Sequence, residues 1–77
     1  MPKLPSIKSD VLLNFFYFQG FILDHITGSH YILYHPKIFK RAVIPYNKKD
    51  LPKGTVLAIL RESGFSRKDL IEFLTKK

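Results

Sequence analysis

His30 is the residue of this chain best suited to proton chemistry near neutral pH, and it follows Gly28 and Ser29 at the junction of two strand-like runs. Imidazole is the side chain whose ordinary titration range lets it take up or release a proton there, a contribution of about 10²- to 10⁴-fold to rate. A reaction that needs such a group is cleavage of an RNA phosphodiester. A proton leaves the 2′-hydroxyl, charge builds on the phosphorane, and the departing 5′-oxygen takes up a proton. One imidazole serves the first or the last of these steps. Beside it, Gly28 leaves room for close approach and the Ser29 hydroxyl is a donor for phosphate. Later in the chain, Lys48, Lys49 and Lys53 lead into Gly54 and Thr55, read as a helix start. Cationic side chains and unpaired helix N–H groups then converge on one phosphate-binding locus.

Other chemistries have little support. The 77 residues contain no cysteine, which removes disulfides, thiolate zinc sites and cysteine nucleophiles and fits a reducing, cytoplasmic setting. A metal site needs three or four converging ligands, and His25, His35 and the aspartates show no ligand spacing, so the expectation is no metal and no cofactor. The serines lack a nucleophile-elbow context.

Charge points to the partner. Residues 1–35 carry Lys3 and Lys8 against Asp10 and Asp24, whereas residues 36–77 carry eleven Lys and Arg against Asp50, Glu62, Asp69 and Glu72, which is the whole of the net +7. Much of it lies in Lys37, Lys40, Arg41, Lys48, Lys49 and Lys53. Such asymmetry favours a polyanion, nucleic acid before membrane. The apolar run from Val11 to Leu23 is broken by Asn14, Gln19 and Gly20 and is too short to span a bilayer, which needs about 20 apolar residues.

The elements that must position these groups are legible in outline. A first helix is expected from Ser9 as N-cap to Gln19, stopped by Gly20. Leu12, Leu13 and Phe16 form its core stripe, and Val11, Phe15 and Phe18 lie on nearly the opposite face. Strands are expected from Phe21 to Thr27 and from His30 to His35, joined by a two-residue turn with Gly28 first. With Thr27 opposite His30, one face carries Phe21, Leu23, His25, His30, Ile32 and Tyr34, the other Ile22, Asp24, Ile26, Tyr31, Leu33 and His35. Alternation does not decide which face meets the helices. A third strand, Lys40 to Ile44, closes at Pro45. A second helix, Thr55 to Ser63, turns Val56, Ile59 and Leu60 inward and ends at Gly64-Phe65. Ser66 and Asp69 have the spacing of a capping box, and Leu70, Ile71 and Leu74 supply the stripe of a third helix. The reading is a single α+β domain over residues 1–77, with order α-β-β-β-α-α and helices on one face of a three-stranded antiparallel sheet.

Pro5-Ser6, Gly20-Phe21, Gly28-Ser29-His30, His35-Pro36, Ile44-Pro45, Lys48 to Leu51, Gly54-Thr55 and Gly64-Phe65 occur in the order and spacing of one family. The chain resembles the HicA mRNA interferase toxins. That resemblance implies a double-stranded RNA-binding-domain-like fold, a metal-independent endoribonuclease acting on mRNA, and a HicB-like antitoxin that covers the site. It maps the catalytic histidine onto His30. Tyr31 and Tyr46 stand where family members often have further histidines; tyrosine stacks on bases and hydrogen-bonds but is a poor base at neutral pH, so Tyr31 is assigned to RNA binding. The departure keeps open a non-catalytic nucleic-acid-binding module or a decayed toxin. A third reading makes the chain an interaction protein built on its apolar first helix. The stripe Val11, Phe15 and Phe18 raises a related question: the third helix covers it, or an antitoxin or second copy of the chain does.

Overall fold

Three helices and three strands make up the computed structural model, which describes residues 7–46 and 50–75. They follow in the expected order: α1 (Ser9–Phe18), β1 (Ile22–Ile26), β2 (His30–Tyr34), β3 (Arg41–Pro45), α2 (Lys53–Glu62) and α3 (Arg67–Thr75). The strands form one antiparallel sheet with β2 in the centre. The expected ends of β1 and β2 trim by about a residue, β3 is displaced by one and takes in Pro45, and α2 begins two residues before the expected Thr55.

The two Gly-Phe pairs end α1 and α2 by the same device. Gly20 donates to the Tyr17 carbonyl and Phe21 to that of Phe16, both at 3.0 Å; Gly64 and Phe65 repeat the pattern on Arg61 and Leu60 at 3.1 and 2.8 Å. Both glycines have positive φ, +101° and +89°. These are Schellman closures, in which the residue after the glycine folds back onto the last turn. Phe21 lands edge-on against Phe16, 5.0 Å between centroids, and Phe65 joins both rings. At Gly20 there is a second constraint, because a Cβ there would lie 2.8 Å from Nε2 of His35. Gly20→Ala is expected to cost about 1–3 kcal/mol from backbone strain before any collision, lowering the melting temperature by at least about 5 °C. Gly28→Ala, with no atom within 4 Å of the added carbon, should leave it unchanged. Equal melting of the two variants in a thermal scan would refute this account.

The start of α1 differs from expectation. Ser9 is the first helical residue, not the cap; Lys8 caps without a side-chain bond. The Ser9 hydroxyl is buried and donates to the Pro45 carbonyl at 2.6 Å, tying α1 to the end of β3. The capping box of α3 forms as read, with the Ser66 N–H donating to Asp69 Oδ2 at 2.9 Å.

A bulge at Asp24 corrects the strand faces. Leu23 pairs with Leu33, but His25 pairs with Ile32, so Leu23 and His25 do not share a face. Buried Leu33, Ala42 and Ile44 identify the helix-covered side, on which Tyr31 is also packed. The open side carries His30, Ile32 and Tyr34 of β2, Arg41 and Val43 of β3, and Ile22 and His25 of β1.

The core is completed by Ile7, Leu12, Phe15, Phe16, Phe21, Leu51, Val56, Ile59, Leu60 and Leu70. The stripe of α1 is therefore Leu12, Phe15 and Phe16, with Leu13 and Val11 only half-buried. Phe15 is fully buried, edge-on to Phe16, Phe65 and Phe73. It is thus unavailable as a contact for a second copy, and α3 supplies its cover through Phe73. Of Val11, Phe15 and Phe18, Phe18 alone is largely exposed.

His35 organises the connection between β2 and β3. Its Nε2 lies 3.1 Å from the Gln19 carbonyl and its Nδ1 3.1 Å from the Lys37 N–H, so the partners assign the proton to Nε2. The ring also meets Phe21 edge-on at 5.2 Å. Residues 36–40 then make one turn, with the Phe39 N–H on the His35 carbonyl and the His35 N–H on that of Lys40, both at 2.9 Å. Phe39 has φ +58°. For a non-glycine residue this costs about 1–3 kcal/mol.

Candidate functional site

The segment Thr27 to His30 is closed by a side chain. The Thr27 N–H donates to the His30 carbonyl at 2.9 Å, and the His30 N–H donates back to Thr27 Oγ1 at 3.1 Å rather than to a carbonyl. Threonine hydroxyls close turns in this way. Gly28 does not have the positive φ that a glycine-first hairpin turn requires, which corrects the expected turn type. Its missing side chain leaves open space above the turn. Thr27 is not among the residues that the sequence singles out for the site, although a threonine directly before Gly-Ser is the signal of such a turn.

His30 is partly buried at the start of β2. Its Nδ1 lies 2.9 Å from Ser29 Oγ. A hydroxyl can donate to a bare Nδ1 or accept from a protonated one, so this contact survives either state of the ring. Nε2 is then the nitrogen left to meet a ligand. Across the sheet His30 pairs with Pro45, and the Tyr46 N–H reaches the Ser29 carbonyl at 2.8 Å. The turn is thereby held from both sides.

The remaining sequence-derived residues divide. Tyr31 leaves β2 on the helix-covered side, opposite to His30, and stacks at a tilt on Tyr46 with 5.0 Å between centroids. The two tyrosines are neighbours of each other at the same sheet end as His30. Lys53 is exposed as the first residue of α2, after Pro52, and the first turn of that helix has no acidic residue to offset its positive end. A shallow depression lined by Pro45, Asp50, Leu51, Pro52 and Thr55 sets the α2 N-terminus beside the strand end that pairs with His30. Lys48 and Lys49 lie outside the described residues.

The other histidines do different work. His25 lies 2.9 Å from Asp24 at the exposed bulge, and His35 is engaged on both nitrogens with backbone. Among the described residues no three His, Cys, Asp or Glu side chains gather as metal ligands. No helix of the described residues is long and apolar enough to cross a membrane.

The helices lie on one side of a β1-β2-β3 sheet, the arrangement of a double-stranded RNA-binding domain, with a histidine at the first hairpin. A family model described as the HicA toxin of bacterial toxin-antitoxin matches residues 12–65, from within α1 to the phenylalanine that closes α2. The chain belongs to the HicA toxin family. No curated protein matches it. The matched stretch contains His30 and its turn, the His35 connection, Lys53 and both Schellman closures of this HicA chain, and stops short of α3.

Proposed function

We propose that this HicA family member is a toxin endoribonuclease that binds and cleaves mRNA with His30 as general acid or base, and that a HicB-like antitoxin silences it by covering that site. The observation that carries the reading is the His30 imidazole at the head of β2, steadied through Nδ1 by Ser29 and facing the side of the sheet without helices. Membership of a toxin family generally made up of ribonucleases supplies the reaction class.

His30 Nε2 takes the 2′-hydroxyl proton as that oxygen attacks phosphorus, or gives a proton to the 5′-oxygen as its bond to phosphorus breaks. Ser29 Oγ adjusts to either form of the ring. Gly28 leaves the approach clear, Lys53 holds phosphate at the α2 N-terminus, and Lys48 and Lys49, a few positions earlier in the sequence, add positive charge for the same polyanion. Tyr31, half-buried on the helix-covered side, is assigned a base contact at the sheet end that it shares with His30.

Metal independence is part of the proposal, because the reading gives proton transfer to His30 and phosphate charge to lysines and so assigns no step to an ion. Purified protein incubated with single-stranded RNA is expected to cleave it equally with and without EDTA. Activity abolished by EDTA and restored by a divalent ion, on an RNA that needs no ion to fold, would show the metal-free mechanism wrong. Absence of any cleavage by folded protein would leave the non-catalytic binding module, which the tyrosines at positions 31 and 46 favour.

A further inference from the structure

Phe39 joins three observations that the proposed cleavage site does not use. The residue is 84% exposed, the most exposed large apolar residue described. Its backbone is held at φ +58°, a conformation that glycine or asparagine would adopt more readily. Extensive support keeps it there: His35 clamps the turn through both ring nitrogens and both backbone groups. A strained residue fixed by its surroundings, with an unburied aromatic ring, points to function more than to packing.

The chemistry around the ring specifies the ligand. Lys37 and Arg41 flank it and are exposed, and residues 36–46 contain no acidic side chain. Lys40 runs back toward Gly64 at the end of α2, where a cation complements the helix dipole, so it serves that helix end instead. Arg41 pairs across the sheet with Tyr34, on the open face shared with His30. Tyr34 and His30 are four residues apart on β2, about 13 Å. The turn therefore stands at one end of a face whose other end holds the candidate catalytic imidazole. Open antiparallel sheets in RNA-binding modules stack two or three bases on exposed aromatics, and basic side chains track the backbone.

We propose that the turn at residues 36–40 is a nucleobase clamp: Phe39 stacks on a base of single-stranded RNA, Lys37 and Arg41 hold adjoining phosphates, and the strand runs over Tyr34 toward His30. The ligand class rests on the ribonuclease reading, but the clamp is tested by binding alone. An acidic protein surface fits the cations as well; continuity with the face of His30 favours RNA.

The test uses the His30→Ala protein, so that RNA stays intact, and a short labelled single-stranded RNA of mixed sequence, with anisotropy read at one fixed salt concentration. Adding Phe39→Gly is expected to weaken binding by about 5-fold or more, the scale of one base stacked on an aromatic ring, while the melting temperature stays level or rises as strain is relieved. Phe39→Trp should bind at least as tightly as phenylalanine. Replacing Lys37 and Arg41 together by alanine, with salt varied, should flatten the dependence of log affinity on log salt by about 0.7 per phosphate that the protein ceases to neutralise. Unchanged RNA affinity in Phe39→Gly overturns the clamp and leaves the ribonuclease reading intact, and the same result with weakened antitoxin binding reassigns the turn to a protein contact. A fall in melting temperature shows the ring to be structural and likewise overturns it. No RNA binding by the parent protein overturns both readings.

Discussion

Replacing His30 with alanine is expected to lower the rate of RNA cleavage by about 10²- to 10⁴-fold and to abolish growth inhibition, with the fold and RNA affinity nearly unchanged. The separation follows from how the residue is held. Its backbone N–H on Thr27 Oγ1 and its carbonyl on the Thr27 N–H secure the turn, and neither involves the ring. The ring's own side-chain hydrogen bond is with Ser29 Oγ, at an exposed position, so removing it strands no buried polar group. Affinity comes chiefly from cations meeting phosphates, and those stay in place. Ser29→Ala should fall between wild type and His30→Ala, because the imidazole remains but loses the group that orients it. Single-turnover cleavage of a labelled RNA, with circular dichroism as the check on folding, measures both. Full activity in a folded, pure His30→Ala protein would end the catalytic assignment.

How far such a site can be read from sequence depends on whether the deciding interaction is local. The Schellman closures at Gly20-Phe21 and Gly64-Phe65 and the Ser66-Asp69 box are written in residues a few positions apart, and all three form as their spacing predicts. So does the pairing of Thr27 with His30, and with it the place of the histidine at the head of β2. Ser9 escapes a local reading because the carbonyl that claims its hydroxyl belongs to Pro45, thirty-six residues away. The bulge at Asp24 is also invisible in sequence, since strict alternation assumes one residue per step and neither face of β1 is cleanly polar. Once the bulge is present, Leu23 and His25 part company and the open face of the sheet can be identified. The strain at Phe39 depends on His35 reaching both Gln19 and the turn, a convergence that spacing alone does not reveal.

Phe15→Ser is expected to be the most damaging substitution in α1, and its effect should appear in stability rather than in association. Val11, Phe15 and Phe18 lie together on the helix, so periodicity groups them as one surface. Packing separates them. Phe15 has no exposed area and meets three rings edge-on at centroid distances of 5.2, 5.4 and 5.5 Å, whereas Phe18 is 65% exposed and touches only the rim of that cluster through Phe73. Truncating a buried phenylalanine costs about 3–5 kcal/mol, and an unpartnered serine hydroxyl adds about 1–3 kcal/mol. A core of this size supplies roughly 3–5 kcal/mol in total, so the variant should be largely unfolded at room temperature, or melt at least about 12 °C lower if the domain is unusually stable. Phe18→Ser, already in water, should shift melting by only a few degrees. Thermal denaturation with light scattering on both variants distinguishes the alternatives. A Phe15→Ser protein that melts like the parent but loses a dimer or its antitoxin would mean that α3 does not cover this residue in solution, since a ring sealed between α1 and α3 cannot reach a partner without first unpacking the core.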